Sequence, residues 1–205
     1  MSRTFTEKAD KSPGIGYNVR TVLRIKGDKM LSIDTAVLNF IYEHFRAGWL
    51  DFLMPLVTWL GQYLWFPLAA ALLISRKYRK AGLVMCAAIL LDVIFCNGIL
   101  KPLVARVRPF DTNTAVQLLI SPPTDFSFPS GHTALSFSAA SALYFSRSRL
   151  WIPAAALAFL VTFSRLYLYV HYPTDVLCGM LLGIVCGFAG KKLMQLLMGS
   201  RKLKT

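Results

Sequence analysis

Five apolar runs, each approaching the length of a bilayer crossing, constrain this 205-residue chain more than any other feature. They fall at about 52–75, 81–101, 131–146, 149–168 and 174–195. "RKYRK" closes the first, "RSR" the third, and "KK" with a basic tail the fifth. Backbone in lipid must satisfy its own polar groups, and runs of this length do so as helices. The expected fold is all-α: a polytopic membrane helical bundle of about five transmembrane helices. Composition agrees. The chain is 55% hydrophobic and 16% charged, where soluble domains carry about one quarter charged residues.

Residues 33–49 (IDTAVLNFIYEHFRAGW) read as a helix but carry Asp34, Glu43, His44 and Arg46. Four such groups make a crossing costly, so an amphipathic helix lying in the interface is expected. The expected organisation is a basic polar tail over 1–32, this helix over 33–49, a transmembrane domain over 50–196 and a basic tail over 197–205. The first thirty residues mix both signs of charge and lack a short apolar core, so a cleaved signal peptide is not expected there. The first span then acts as its own insertion signal.

The formal charge of +13 would suggest nucleic acid in a soluble chain. Here the basic residues gather at the ends of apolar runs, and no basic-aromatic stripe accompanies them. Nucleic acid is set aside; the expected partners are the lipid bilayer and a membrane lipid. Cys86, Cys96, Cys178 and Cys186 all lie inside apolar runs with no CxxC pair, which reads as buried free thiols.

Alternating spans divide the loops between two faces. One face holds "RKYRK", "RSR" and the C-terminal tail, with eleven basic residues in short segments. That face is expected in the cytoplasm of a cell-membrane protein. The loop of about 25 residues after the second span then faces outward. With five spans the basic N-terminal tail also lies outside, against the rule. A crossing by 33–49 would remove that conflict and leave the long loop outward.

Three polar clusters sit at span ends on the outward face: "KPLVARVRPF", "PSGH" and "SRLYLYVHYPTD". Singly, each has an ordinary explanation. Lys101 and Arg108 can snorkel to headgroups, Ser130 can cap a helix, and Asp175 suits a first helical turn. Together they specify chemistry. Several cations at one place suit an anion with several oxygens. A Ser-Gly step opening a helix offers N–H groups to such an anion, and Gly131 permits close approach. Phosphate fits. His171, with Asp175 four residues on, suits an oriented nucleophile, which leaves His132 to protonate a leaving group. Such a site needs no metal or cofactor, because the cations stabilise the charge.

These clusters resemble the signature of the type 2 phosphatidic acid phosphatase (PAP2) superfamily: K-x6-RP, PSGH and SR-x5-H-x3-D. Every fixed position matches: Lys101, Arg108-Pro109, Pro129-Ser130-Gly131-His132, Ser164-Arg165, His171 and Asp175. PSGH alone recurs by chance on the order of once per 10⁵ positions. The resemblance covers roughly residues 50–195. It implies that His171 becomes phosphohistidine, that Asp175 orients it, and that His132 is the general acid. It implies a phosphate cradle of Lys101, Arg108, Ser130, Gly131 and Arg165. It points to small bacterial lipid phosphatases, many with six spans. Undecaprenyl diphosphate is the leading expected substrate for an outward site, with phosphatidylglycerophosphate or phosphatidate next. Transfer of the phosphoryl group to a second acceptor, and a non-catalytic lipid-binding protein, are the competing readings. Asp92, within the second span, is expected to bond a neighbouring helix. Asp111 and Asp125, in the long loop, are expected to steer a substrate amine or to face water.

Overall fold

A computed structural model describes residues 19–199, with side chains from Met30 onward; the outer parts of both expected tails lie outside these residues. No strand occurs among the described residues. The helix expected over 33–49 is the last part of α1, Val19–His44, and residues 48–49 already belong to α2, Gly48–Tyr63. Residues 34–199 belong to one compact unit. Within it α1 turns Asp34, Leu38 and Tyr42 inward, at the i, i+4, i+8 spacing of one helix face. Leu38 packs with Tyr169 and Tyr172, and Tyr42 lies against them.

The first expected span is two helices, α2 and α3 (Trp65–Ile74), bent by 42°. Pro67 explains the bend. It has no N–H to give the carbonyl of Tyr63 four residues back, so the ladder breaks there. The second span is α4, Arg79–Asp92, which widens into a π-helical segment, Val93–Leu100, and ends as α5, Lys101–Val104. Lys101 N–H reaches back five residues to Cys96 O. Pro102 cannot donate to Gly98, which favours this wider turn. Nine residues of α-helix make about 2.5 turns and would set Asp92 and Lys101 on opposite faces. The wide turns bring both inward, and Cys96 with them; all three are buried. Ala105 then takes a left-handed conformation, φ 47°, and the chain passes through a short α6, Pro109–Thr112.

The remaining helices are α7 (Gly131–Phe145), α8 (Trp151–Tyr167) and α9 (Pro173–Met198). Among the described residues, two helical runs, Arg79–Thr112 and Pro173–Met198, are long and apolar enough to cross a membrane, or three if α2 and α3 form one bent crossing. That is fewer than the five expected. With 15 and 17 residues, α7 and α8 are roughly 22 and 26 Å long, short of the ~30 Å hydrocarbon core. The core between α4, α7 and α9 is built from small residues, with Ala88, Ala139 and Ala142 fully buried.

Close packing of α7 on α9 positions the site. A Cβ at Gly179 would lie 2.8 Å from Ser130 O, and one at Gly183 would lie 2.5 Å from Ala134 O. These are backbone atoms that cannot swing away. Gly183→Val is therefore expected to destabilise the protein by about 3 kcal/mol, read as a lowered thermal midpoint in detergent. An unchanged midpoint would show that α7 and α9 are not clamped there.

Candidate active site

The three polar clusters meet. Lys101 opens α5; Arg108 follows the left-handed turn at Ala105; Ser130, Gly131 and His132 open α7. Arg165 lies in the last turn of α8, His171 in the turn after it, and Asp175 in the first turn of α9. Tyr169, at φ 59°, is left-handed and reverses the chain between α8 and His171. The Ser130 N–H donates to Asp175 O at 3.1 Å, joining the starts of α7 and α9. Ser130 Oγ lies 3.0 Å from Thr133 Oγ1, and the Phe128–Pro129 peptide is cis.

A cavity of about 960 Å³ opens beside these residues. Lys101, Gly131, His132 and Arg165 line it, as do Asp92 and Asp125. Arg165 is 2% exposed, donates from Nη1 to Thr58 Oγ1 at 2.5 Å, and keeps a buried Nε–H without a protein partner. Such a donor suits an arriving anion, since leaving it unmade is costly. A Cβ at Gly131 would stand 3.7 Å from Lys101 Nζ, in ordinary contact rather than in a clash. The absent side chain leaves room beside the ammonium group.

Arg108, Ser130, His171 and Asp175 do not line the cavity. Arg108 connects the two sets. Its Nη2 donates to Asp125 Oδ1 at 2.6 Å and its Nε to Asp125 O at 2.8 Å. Its Nη1 donates to Val170 O at 2.6 Å and lies 3.3 Å from His171 Nε2. A guanidinium only donates, so Nε2 is the accepting nitrogen and a neutral ring carries its hydrogen on Nδ1. That nitrogen faces Asp175 Oδ2 at 3.7 Å, an ionic distance longer than a hydrogen bond. Burial, then Arg108, Arg165 and Lys101, hold His171 well below the ordinary histidine range. It stays neutral at neutral pH, as a nitrogen nucleophile requires.

Asp125 departs from expectation. Although half exposed, it does not simply face water. Its carboxylate pairs with both Lys101 and Arg108. Burial raises its pKa, and the two cations outweigh burial and bring it to about 2. It is charged throughout the ordinary pH range, and its ion pairs weaken only as pH falls from about 4 toward 2. Asp92 is buried, and its Oδ1 has no hydrogen-bond partner. The four cysteines are free, two buried and two partly buried.

The sequence model of the PAP2 superfamily matches residues 81–198. An undecaprenyl-diphosphatase of Sulfolobus acidocaldarius is 33% identical over 78% of this chain and 77% of its own. A lipid A 4'-phosphatase of Bacteroides thetaiotaomicron is 33% identical over 77% and 74%. The crystal structure of a transmembrane PAP2-type phosphatidylglycerolphosphate phosphatase from Bacillus subtilis superposes with a TM-score of 0.68 at 28% identity. It covers 84% of this chain and 90% of that one. The chain belongs to the PAP2 superfamily.

Proposed function

We propose that the protein is a membrane lipid phosphatase that hydrolyses undecaprenyl diphosphate through a phosphohistidine on His171. The observation that carries this reading is the pairing of Arg108 Nη1 with His171 Nε2 at 3.3 Å. One guanidinium can hold a phosphate oxygen while presenting the phosphorus to the ring nitrogen. Lys101 and Arg165 supply the remaining positive charge for the developing oxyanions. His171 Nε2 attacks phosphorus, and the P–O bond to the lipid breaks. His132, which takes up a proton once the substrate's negative charge offsets the surrounding cations, gives that proton to the departing oxygen. Water then attacks the phosphorus of phosphohistidine, His132 takes a proton from it, and the P–N bond breaks to release phosphate.

Phosphatidylglycerophosphate is the second substrate, favoured by the likeness to the Bacillus subtilis enzyme over most of both chains. A five-span arrangement in the cell membrane, with the site on the outer face, belongs to this reading. It is supported by the basic segments that gather on the opposite face. Phosphate release by detergent-purified protein with EDTA present tests the proposal, with undecaprenyl diphosphate, phosphatidylglycerophosphate and phosphatidate compared. Release that persists in EDTA, fastest from undecaprenyl diphosphate and absent in His171→Ala, is the expected result. No release from any lipid by folded protein would remove the hydrolase reading and favour transfer to another acceptor.

Asp125 places a carboxylate on two cations that the phosphate must reach. Asp125→Asn is expected to tighten inhibition by inorganic phosphate about tenfold, because the competing charge is gone. Weaker inhibition would show instead that Asp125 orders the cations for the substrate.

A further inference from the structure

Asp34 lies outside residues 81–198, the stretch matched by the superfamily, yet it is 1% exposed. A buried carboxylate demands partners. Asp34 Oδ1 accepts from Thr174 N at 3.0 Å, and Oδ2 accepts from Thr174 Oγ1 at 2.5 Å and Arg106 Nη2 at 2.7 Å. The same guanidinium donates from Nη1 to Asp175 Oδ1 at 2.5 Å and to Thr174 Oγ1 at 2.7 Å. Arg106 thus joins a carboxylate from α1 to the acid beside the nucleophile, with its guanidinium 4.0 Å from the centre of the Tyr172 ring. Asp175 Oδ2 is held separately, by Ser127 Oγ at 2.5 Å and Tyr172 N at 2.9 Å. Ser127 is tied in turn to Arg106 O through its own N–H at 2.9 Å.

The geometry points to Asp34 and Arg106 as a positioning couple. Arg106 fixes the face that Asp175 presents to His171, and Asp34 sets how much of the guanidinium's charge falls on Asp175. This rests on the reading of His171 as nucleophile, and it extends the working site to a helix that the superfamily match does not reach. The polar atoms of Asp34 and Arg106 are committed to each other, Thr174 and Asp175, so both act through Asp175 rather than on the phosphate.

The two members act with opposite signs. His171 is faced by Arg108, Arg165, Lys101 and His132 on one side and by Asp175 on the other, with Asp125 beyond Arg108. Arg106 is faced by Asp34 and Asp175. Removing the charge of Arg106 leaves two carboxylates unneutralised, and His171 takes a proton more readily. Removing the charge of Asp34 directs the guanidinium wholly at Asp175, and His171 takes a proton less readily. A residue that only supported the fold would not produce shifts of opposite direction.

The full chain in detergent micelles, as wild type, Asp34→Asn, Arg106→Gln, Arg106→Lys and the Asp34→Asn/Arg106→Gln double variant, provides the test. The chain has three histidines, so nitrogen-15 histidine spectra compared with His171→Ala identify the His171 ring. The expected order of its titration midpoint is Asp34→Asn below wild type below Arg106→Gln, with the double variant close to Arg106→Gln because Asp34 acts through Arg106. In phosphate release from the lipid, kcat falls about tenfold in Arg106→Gln with KM within about twofold, and Arg106→Lys recovers part of the loss. The acidic limb of kcat follows the same order. A midpoint unmoved in both single variants, or moved the same way in both, overturns the couple whatever the activity. If Arg106→Gln does not fold, Asp34→Asn and Arg106→Lys carry the test, and unmoved midpoints in these two overturn it. The ordered midpoints in a protein that releases no phosphate would leave the couple standing and overturn the hydrolase reading instead.

Discussion

His171→Ala is expected to lower lipid phosphate release by at least about 10⁴-fold, to the level of buffer. The nucleophile in this reading is one atom, Nε2, and no neighbour can replace it. Asp175 is saturated by Arg106, Ser127 and the Tyr172 N–H. Losses of this size are what removal of a covalent nucleophile produces. Labelled phosphate should also fail to remain on the denatured variant, whereas the wild type should hold an acid-labile label. The substitution has a second effect. His171 is buried neutral, so wild-type stability falls as pH drops below about 6.5, where the unfolded chain takes up the proton. In His171→Ala this contribution to acid sensitivity disappears. Residual release above about one hundredth of wild type would place the nucleophile elsewhere.

Arg108→Lys is expected to lower kcat about 100-fold and to raise KM, although the charge is retained. Three nitrogens of Arg108 reach Asp125, Val170 O and His171 Nε2 at once. An ammonium group is a single point and cannot hold all three directions. The thermal midpoint should change little, because the positive charge remains available to Asp125. Loss of one preorganised donor to a developing oxyanion has a magnitude of this order. Activity within threefold of wild type would mean that charge alone, not the fork, is what the site uses.

The three motif clusters were legible because their chemistry resides in residue type and spacing, and they converge at the starts of α7 and α9 and the end of α8. Asp34 was not legible as a partner of the site. Within its own segment it reads as one more charge on an amphipathic face, and its partners lie 72 and 140 residues away. Asp125 was noticed but misjudged. A loop carboxylate looks solvated until the chain folds it against Lys101, 24 residues earlier. The inward placement of Asp92 beside Lys101 had no sequence signal, for a geometric reason. Counting along an ideal α-helix separates it from Lys101 by half a turn, and the π-helical segment cancels that separation. The bend at Pro67 had its signal in the sequence, since a proline inside an apolar run removes a ladder bond.

The carboxylate of Asp125 on Lys101 and Arg108 also bears on what the surrounding bilayer can put into this site. Membranes contain free fatty acids, whose headgroup is itself a carboxylate. Such a lipid arriving here would exchange one carboxylate for another, two oxygens for two and one charge for one, with no electrostatic gain. A phosphate monoester or diphosphate brings more oxygens and more charge, and it can engage Arg165 as well. If the proposed function holds, the resting ion pairs act as a threshold: they remove the advantage of a carboxylate lipid and leave one to ligands with more oxygens and more charge, as a phosphate has.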